Sequence, residues 1–369
     1  MTGPQRTAAH HEAWLALALS EGVSARKALD LVEIFGGPEA VLAASPSALA
    51  AAGVPTEAAG ALGRASERAV AERDLAARAG AEIVTWAGDG YPARLRQIPD
   101  PPLALFVRGA VLPDELAVAV VGARRAGEYG RRVADELARG LAYAGVTVVS
   151  GLATGIDAAA HRGAMAAGGR TVAVMGTGVD QVYPSWHRPL AREIAAEGAL
   201  VTEFPCGTPP LQFHFPKRNR IISGLTVGTV VVEAAERSGS LITANLATEQ
   251  GREVFAVPGP IGMPHHGGCH RLIQRGAKLV TSVDDVLDEI APALVARLAA
   301  VRAGRAVAAL APTERTVVAA LADGVRHVDD IVAAARLDPG TTLETLLALE
   351  LRGVVEQRPG MRFAKREAA

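Results

Sequence analysis

Residues 117–151 read AVAVVGARRAGEYGRRVADELARGLAYAGVTVVSG, and the way they parse decides the fold. Two continuously apolar, β-branched runs, AVAVVG and VTVVSG, flank a stretch of helical sequence. A strand that shows no polar alternation is buried on both faces, and a helix between two such strands makes a parallel βαβ unit. The pattern continues through TVAVMG, ALVTEF, TVVVEA, VFAVPG and KLVTS, from Leu116 to about Ile290. The expected class is α/β, with an extended Rossmann-like doubly wound sheet. Ligands of such sheets bind beyond the carboxyl ends of the strands, so the loops after these runs are the ones to read.

Both flanks differ in character. Residues 10 to about 75 read as short amphipathic helices broken at Glu21-Gly22, Gly36-Gly37-Pro38, Ser45-Pro46 and Gly53-Val54-Pro55, a small helical module of the SAM or helix-hairpin-helix kind. Ser24 stands where the second glycine of a phosphate-binding hairpin would be, so packing is the favoured role. The proline-rich segment Gly88–Gly109 is expected to be a linker packed on the sheet domain. Beyond a Pro/Ala-rich stretch, three helices and a hairpin suit a winged helix. Its recognition helix offers Glu344, Glu350 and Arg352 where a base-reading helix presents Arg, Asn or Gln, which favours protein contact over sequence readout. The expected division is 1–80 helical module, 81–292 sheet domain, 293–312 linker and 313–369 winged helix.

A formal charge of −1 over 369 residues provides no global attraction for nucleic acid or membrane, so any polyanion must meet a local patch. Cys206 and Cys269 form no CxxC pair, and no apolar run reaches the length of a membrane span. A soluble, cytoplasmic protein is expected.

The strand-end loops carry the chemistry. After the first strand, VVGARRAGEYGRR holds Gly122, Gly127 and Gly130, but not at GxGxxG spacing, and the second strand ends in Ser150 where a ribose-binding acid is expected. There is also no Gly-Lys-Ser/Thr, so neither an NAD site nor a Walker A loop is indicated. A glycine loop opening a helix, with Arg124 and Arg125 projecting, remains a phosphate cradle. SGLATGID offers Ser150, Gly151 and Thr154, with Asp157 as a helix cap; His161 reads as structural, and Asp180 and Tyr183 as an ordinary turn. HHGGCH (265–270) lacks a second Cys/His cluster to complete a tetrahedral site. No cofactor is expected.

The strongest signal is FPKRNRIISG, Phe215–Gly224. Lys217, Arg218 and Arg220 crowd the first turn of a helix, the end whose dipole favours anions, and no acid occurs between Glu203 and Glu233. Cations interleaved with Phe204, Phe213, His214 and Phe215 suit phosphates and bases of a single strand. Between Glu253 and Asp284 the only charges are Arg271, Arg275 and Lys278. SGSLITAN, with Ser238 and Ser240, is one more hydroxyl-rich helix start. The rival reading is an enzyme acting on a nucleotide, with Glu233 as acid or base; a helix-capping carboxylate is preferred for that residue.

The ordered series VGARR…YG, SGLATGID, GTGVDQVYP, FPKRNRIISGL, VVEA…SGSLITA, GREVFAVPG and GCHRLIQRGA resembles the DNA-processing protein A family, also called DprA or Smf. The resemblance covers about residues 88 to 290. It implies sequence-independent binding of single-stranded DNA, a homodimer, delivery of DNA to a RecA-type recombinase during natural transformation, and no enzymatic turnover. Carried over by motif, the phosphate-contacting turn falls on Gly122 and Arg124, and the basic element on Phe215, Arg218, Asn219 and Arg220. The chain departs from the family pattern at Ala123, Gly127 and His270. The expected DNA-binding set is Gly122, Arg124, Ser150, Gly151, Phe215, Lys217, Arg218, Asn219, Arg220, Ser238 and Ser240.

Overall fold

The structure is a computed structural model that describes residues 8–292, 311–321, 324–351 and 354–365. Two compact units divide at Ile290. The larger opens with six helices, α1 (Ala8–Ala18), α2 (Ala25–Phe35), α3 (Pro38–Ala43), α4 (Pro46–Ala51), α5 (Thr56–Leu62) and α6 (Ala65–Arg78). Ser24 caps α2 by accepting from the Lys27 N–H at 3.2 Å, so the departure from a Gly-x-Gly turn serves the helix start. Trp14, Leu17, Leu31, Val41, Leu49 and Leu62 form the module's interior, but Leu103 and Ala87 join the same cluster. The change of element type near residue 80 is therefore not a break in packing.

Next come β1 (Glu82–Thr85), the single-turn helix α7 (Ala93–Arg96), β2 (Ala104–Gly109), β3 (Ala117–Val121), α8 (Glu128–Tyr143), β4 (Thr147–Ser150) and α9 (Ile156–Ala166). The chain continues through β5 (Thr171–Val174), α10 (Arg188–Glu197), β6 (Ala199–Thr202), α11 (His214–Gly224), β7 (Gly228–Val231) and α12 (Gly239–Glu249). It closes with β8 (Glu253–Ala256), α13 (Gly267–Gln274), β9 (Lys278–Leu279) and α14 (Val283–Ile290).

All seven apolar runs named from the sequence form strands, and they pair in parallel in the order β6-β5-β4-β3-β7-β8-β9. Every residue of β3 to β7 is buried, as strands covered on both faces require. The expected linker, Gly88–Gly109, is corrected. Its last six residues are β2, which pairs antiparallel with β6 and carries β1 on its far side. Tyr91, Leu95 and Ile98 are core residues, and the Tyr91 hydroxyl donates to the Pro102 carbonyl at 2.7 Å. The strand begins only after Pro101-Pro102, because proline has no N–H for a ladder.

The smaller unit comprises α15 (Pro312–Ala319), β10 (Arg326–His327), α16 (Val328–Ala335), α17 (Pro339–Leu351), β11 (Val355–Arg358) and β12 (Arg362–Lys365), with sheet order β10-β12-β11. Val317, Ile331, Leu346, Leu349 and Phe363 form its core, giving the winged-helix arrangement read from the sequence. Arg352 and residues 293–310 of the expected linker lie outside the described residues. Among the described residues no helix is long and apolar enough to cross a membrane.

Helices α8 and α9 pack so closely that a Cβ on Gly163 would lie 2.5 Å from the Asp135 carbonyl oxygen. Gly163→Ala should therefore destabilise the protein by about 1–3 kcal/mol despite its better helix propensity. Gly60→Ala, in α5 with nothing within 4 Å of its added carbon, should stabilise by up to about 1 kcal/mol. Urea unfolding midpoints check both signs.

Candidate nucleic-acid interface

Strand order reverses between β3 and β7: from β3 the chain winds outward to β6, then crosses back to start again at β7. The loops after β3, β4 and β7 converge at that point, and a cavity of about 530 Å³ opens there. Its wall includes Gly122, Arg124, Asp157, Tyr183, Phe215, Arg218, Asn219 and Ser238 to Ser240. This is the crevice where doubly wound sheets hold ligands.

Helix α11 supplies one wall and divides its cations between two faces. Phe215, Arg218, Asn219 and Ile222, spaced i, i+3, i+4 and i+7, face the cavity. Arg218 is buried; its Nη1 donates to the carbonyls of Gly151, at 2.7 Å, and of Val174, while Nε donates to Asn219 Oδ1 at 3.2 Å. Burial lowers its pKa to about 10, opposed by nearby Asp157, so it stays charged at neutral pH. Asn219 Nδ2 donates to the Gly239 carbonyl at 3.4 Å, linking α11 to the start of α12.

Arg220 and Lys217 turn away, which corrects their assignment to the same furrow. Arg220 Nε lies 3.0 Å from Asp100 Oδ2 and Nη2 lies 2.7 Å from Glu203 Oε2, with only 9% of the side chain exposed. Burial alone would lower its pKa, but Glu203 and Asp100 outweigh that and raise it. Lys217 Nζ sits 3.5 Å from the same Glu203 oxygen. Both cations line a separate cavity of about 150 Å³ together with Leu17 and Ser24 of the helical module. The acid-free interval of sequence is not acid-free in space, because Asp100 and Glu203 fold onto it.

Three more expected contacts are already committed to the fold. The Ser150 hydroxyl, fully buried, donates to the Val120 carbonyl at 2.7 Å. Gly151 gives its N–H to Asp157 Oδ2 at 3.1 Å and its carbonyl to Arg218, so neither Ser150 nor Gly151 is among the residues that line the cavity. A Cβ on Gly122 would lie 2.5 Å from Ile156 Cγ1, so this glycine answers a packing need. The Phe215 ring is enclosed as well: Gly176 backs it, Tyr183 tilts against it at 5.6 Å, and Arg124 Cζ lies 5.0 Å above its centroid. Phe213 is instead 66% exposed. Tyr183, read from the sequence as an ordinary turn residue, belongs to the cavity wall; its place just past β5 was the available signal.

Helix N-termini at the switch point differ in charge. The α8 end is capped by Glu233, buried, whose carboxylate accepts the Gly127 N–H at 3.1–3.2 Å; a Cβ on Gly130 would lie 2.2 Å from its Oε2. Glu233 thus fills the capping role. Ahead of α9, Asp157 binds the N–H groups of Gly151 and Ala153 of the preceding loop. At α12 there is only the Ser238 hydroxyl, which accepts the Ser240 N–H at 3.3 Å and meets Ser240 Oγ at 2.7 Å, and the first turn carries no acid. The α12 end is therefore the one of these three with no carboxylate on it, and it faces Arg124 and Arg218 across the cavity.

His161 is structural: fully buried, with Nδ1 2.6 Å from Thr171 Oγ1 and a pKa lowered to about 3 by burial, His187 and Arg218. The HHGGCH side chains diverge, Cys269 Sγ toward the Val231 carbonyl, His270 Nε2 to the Gly259 carbonyl and His266 edge-on to Tyr129. Among the described residues no group of three metal-ligating side chains assembles.

Fold and site define an extended Rossmann-like domain with a cavity at its switch point, followed in the chain by a winged helix. Residues 82–291 match the family model of DNA recombination-mediator protein A, and residues 301–361 match the DprA winged helix domain. The chain belongs to the DNA-processing protein A (DprA/Smf) family. It is 50% identical to Protein Smf of Escherichia coli over 202 residues, which is 54%, about half, of the length of either chain. The X-ray structure of DNA processing protein A from Streptococcus pneumoniae superposes with a TM-score of 0.67 at 36% identity, covering 78% of this chain and 99% of that one. A Helicobacter pylori DNA processing protein A structure, titled for its single-stranded DNA binding mode, aligns at 27% identity with a TM-score of 0.52, covering 57% of this chain and 96% of that one.

The His161 environment sets a pH dependence. An unfolded histidine takes up a proton near pH 6.5, whereas the folded site resists protonation down to about 3, so stability is full above the unfolded value and falls as pH drops below it. Between about pH 7 and about pH 5 the loss should be about 2 kcal/mol. His161→Gln should remove that part of the slope in urea unfolding.

Proposed function

We propose that the switch-point cavity grips the backbone of single-stranded DNA without reading base identity. Arg124 and the α12 N-terminus bind phosphate, Arg218 holds the wall in place and adds its charge, and Phe213 offers an open ring for a base. The observation that carries this reading is the pairing of two arginines with the carboxylate-free helix start, at the point where the fold places ligands. The Helicobacter pylori relative, described by its single-stranded DNA binding mode, supports it.

The protein acts in the cytoplasm by holding DNA rather than by turning over a substrate, since Glu233, the acid an enzyme would need, is occupied as a helix cap. As a homodimer it passes the strand to a RecA-type recombinase during natural transformation; faster recombinase nucleation on oligonucleotides carrying this protein tests that step.

Fluorescence anisotropy of a labelled oligothymidylate across a salt series tests the binding. Arg124→Ala should weaken binding by about tenfold and make the log–log salt slope shallower by about 0.7. Unchanged affinity and slope would end the assignment. Arg220→Met should bind as tightly per folded molecule yet lose about 1–3 kcal/mol of stability, because it leaves Glu203, whose side chain is 9% exposed, with only Lys217 beside it.

A further inference from the structure

We propose that Trp186 is a base-stacking platform at the mouth of the switch-point cavity and that Arg188 takes the phosphate beside that base. The bound strand then leaves the cavity across the Ser185–His187 turn. This rests on the DNA reading above and extends it to residues outside every motif that led there.

Trp186 is 70% exposed, whereas Trp14 is buried in the helical module. The Trp186 ring approaches His187 edge-on at 6.5 Å, and most of the indole is open apolar surface. Its backbone is nonetheless fixed from both sides. His187, buried, places Nδ1 2.9 Å from the Leu152 carbonyl, in the loop whose Ala153 and Asp157 line the cavity. On the other side Tyr183 is itself a wall residue, packed on Phe215. Three peptide units separate Tyr183 from Trp186, so their Cα atoms are at most about 11 Å apart. The turn that carries the ring is therefore held close to the cavity wall.

Its neighbours decide the kind of ligand. A protein-docking patch is expected to be contiguous and apolar, but Ser185 and Arg188 flank this ring, both exposed. Arg188 makes no ion pair among the described residues, unlike Arg220, and Arg192 follows one turn later, also exposed. An open ring beside uncommitted cations, three residues from a wall residue of the cavity that presents Arg124, matches what a single strand requires: a face for the base and charge for the backbone.

The full chain is titrated with oligothymidylate while intrinsic tryptophan fluorescence and the anisotropy of a labelled copy of the same oligonucleotide are followed. Wild type should show quenching that saturates together with the anisotropy. Trp186→Phe should keep affinity within about twofold while losing the quenching, and Trp186→Ala should weaken binding by about tenfold. Arg188→Ala should lose affinity and flatten the salt slope. Binding by Trp186→Ala at wild-type affinity, or wild-type anisotropy without quenching, overturns the platform and leaves the cavity reading intact. A wild type that does not bind the oligonucleotide overturns both. Because the indole is exposed, these variants should match wild type in urea unfolding, which separates lost binding from lost folding.

Discussion

Arg218 is the interaction on which the site depends. Its guanidinium reaches across the sheet ends to the carbonyls of Gly151, after β4, and Val174, the last residue of β5, so one side chain ties α11 to two adjacent strands. Asp157 supplies the nearby negative charge and holds the β4 loop through the N–H groups of Gly151 and Ala153. A buried cation is costly unless its donors are satisfied, and here two carbonyls and Asn219 Oδ1 accept from the guanidinium while Asp157 lies nearby. The same anchoring fixes Asn219, which reaches the Gly239 carbonyl, so the wall of the cavity and the start of α12 are set together.

Two residues along the same helix, and so on its other side, Arg220 performs an equivalent task on the opposite flank. It joins Asp100, in the segment before β2, to Glu203, just past β6, beside residues of the helical module. A dense basic motif can thus be mostly architectural. FPKRNRIISG places one arginine under the cavity, one in the seam with the helical module, and a lysine at the rim of that seam. The exposed cation of the cavity wall comes from a different loop, Arg124.

The parallel sheet was legible because strands buried on both faces must be continuously apolar, and seven such runs stand out in a chain with few other signals. Strands β1 and β2 were not, because a short antiparallel pair beside prolines has neither that continuity nor a helix to announce it. The site was legible as a set of loops. It was not legible as a set of free groups. Ser150, Gly151 and Arg220 have the right chemistry at the right strand ends, yet Val120, Asp157, Asp100 and Glu203 use them up. Asp100 lies 120 residues before Arg220, a separation at which no local pattern shows a pairing. Whether a polar group awaits a ligand depends on how its hydrogen bonds are met, and only the folded chain settles that.

The charge balance at the cavity also bounds how it can work. Asp157 offsets the Arg218 charge in part, and the Glu233 carboxylate occupies the α8 end, which leaves Arg124, a partly offset Arg218 and the α12 dipole facing the cavity. So few charges and one helix end bind a phosphate weakly and are readily screened by salt. In a chain whose formal charge is −1, no long-range field adds to this. Firm, sequence-independent grip on a strand therefore requires several modest contacts in series, either along one molecule past the cavity rim or across two copies whose cavities hold the same strand. Linking weak sites in this way multiplies affinity without making any single contact strong, and it leaves each contact easy to release. Ready release is the property a protein needs if it is to give the strand up.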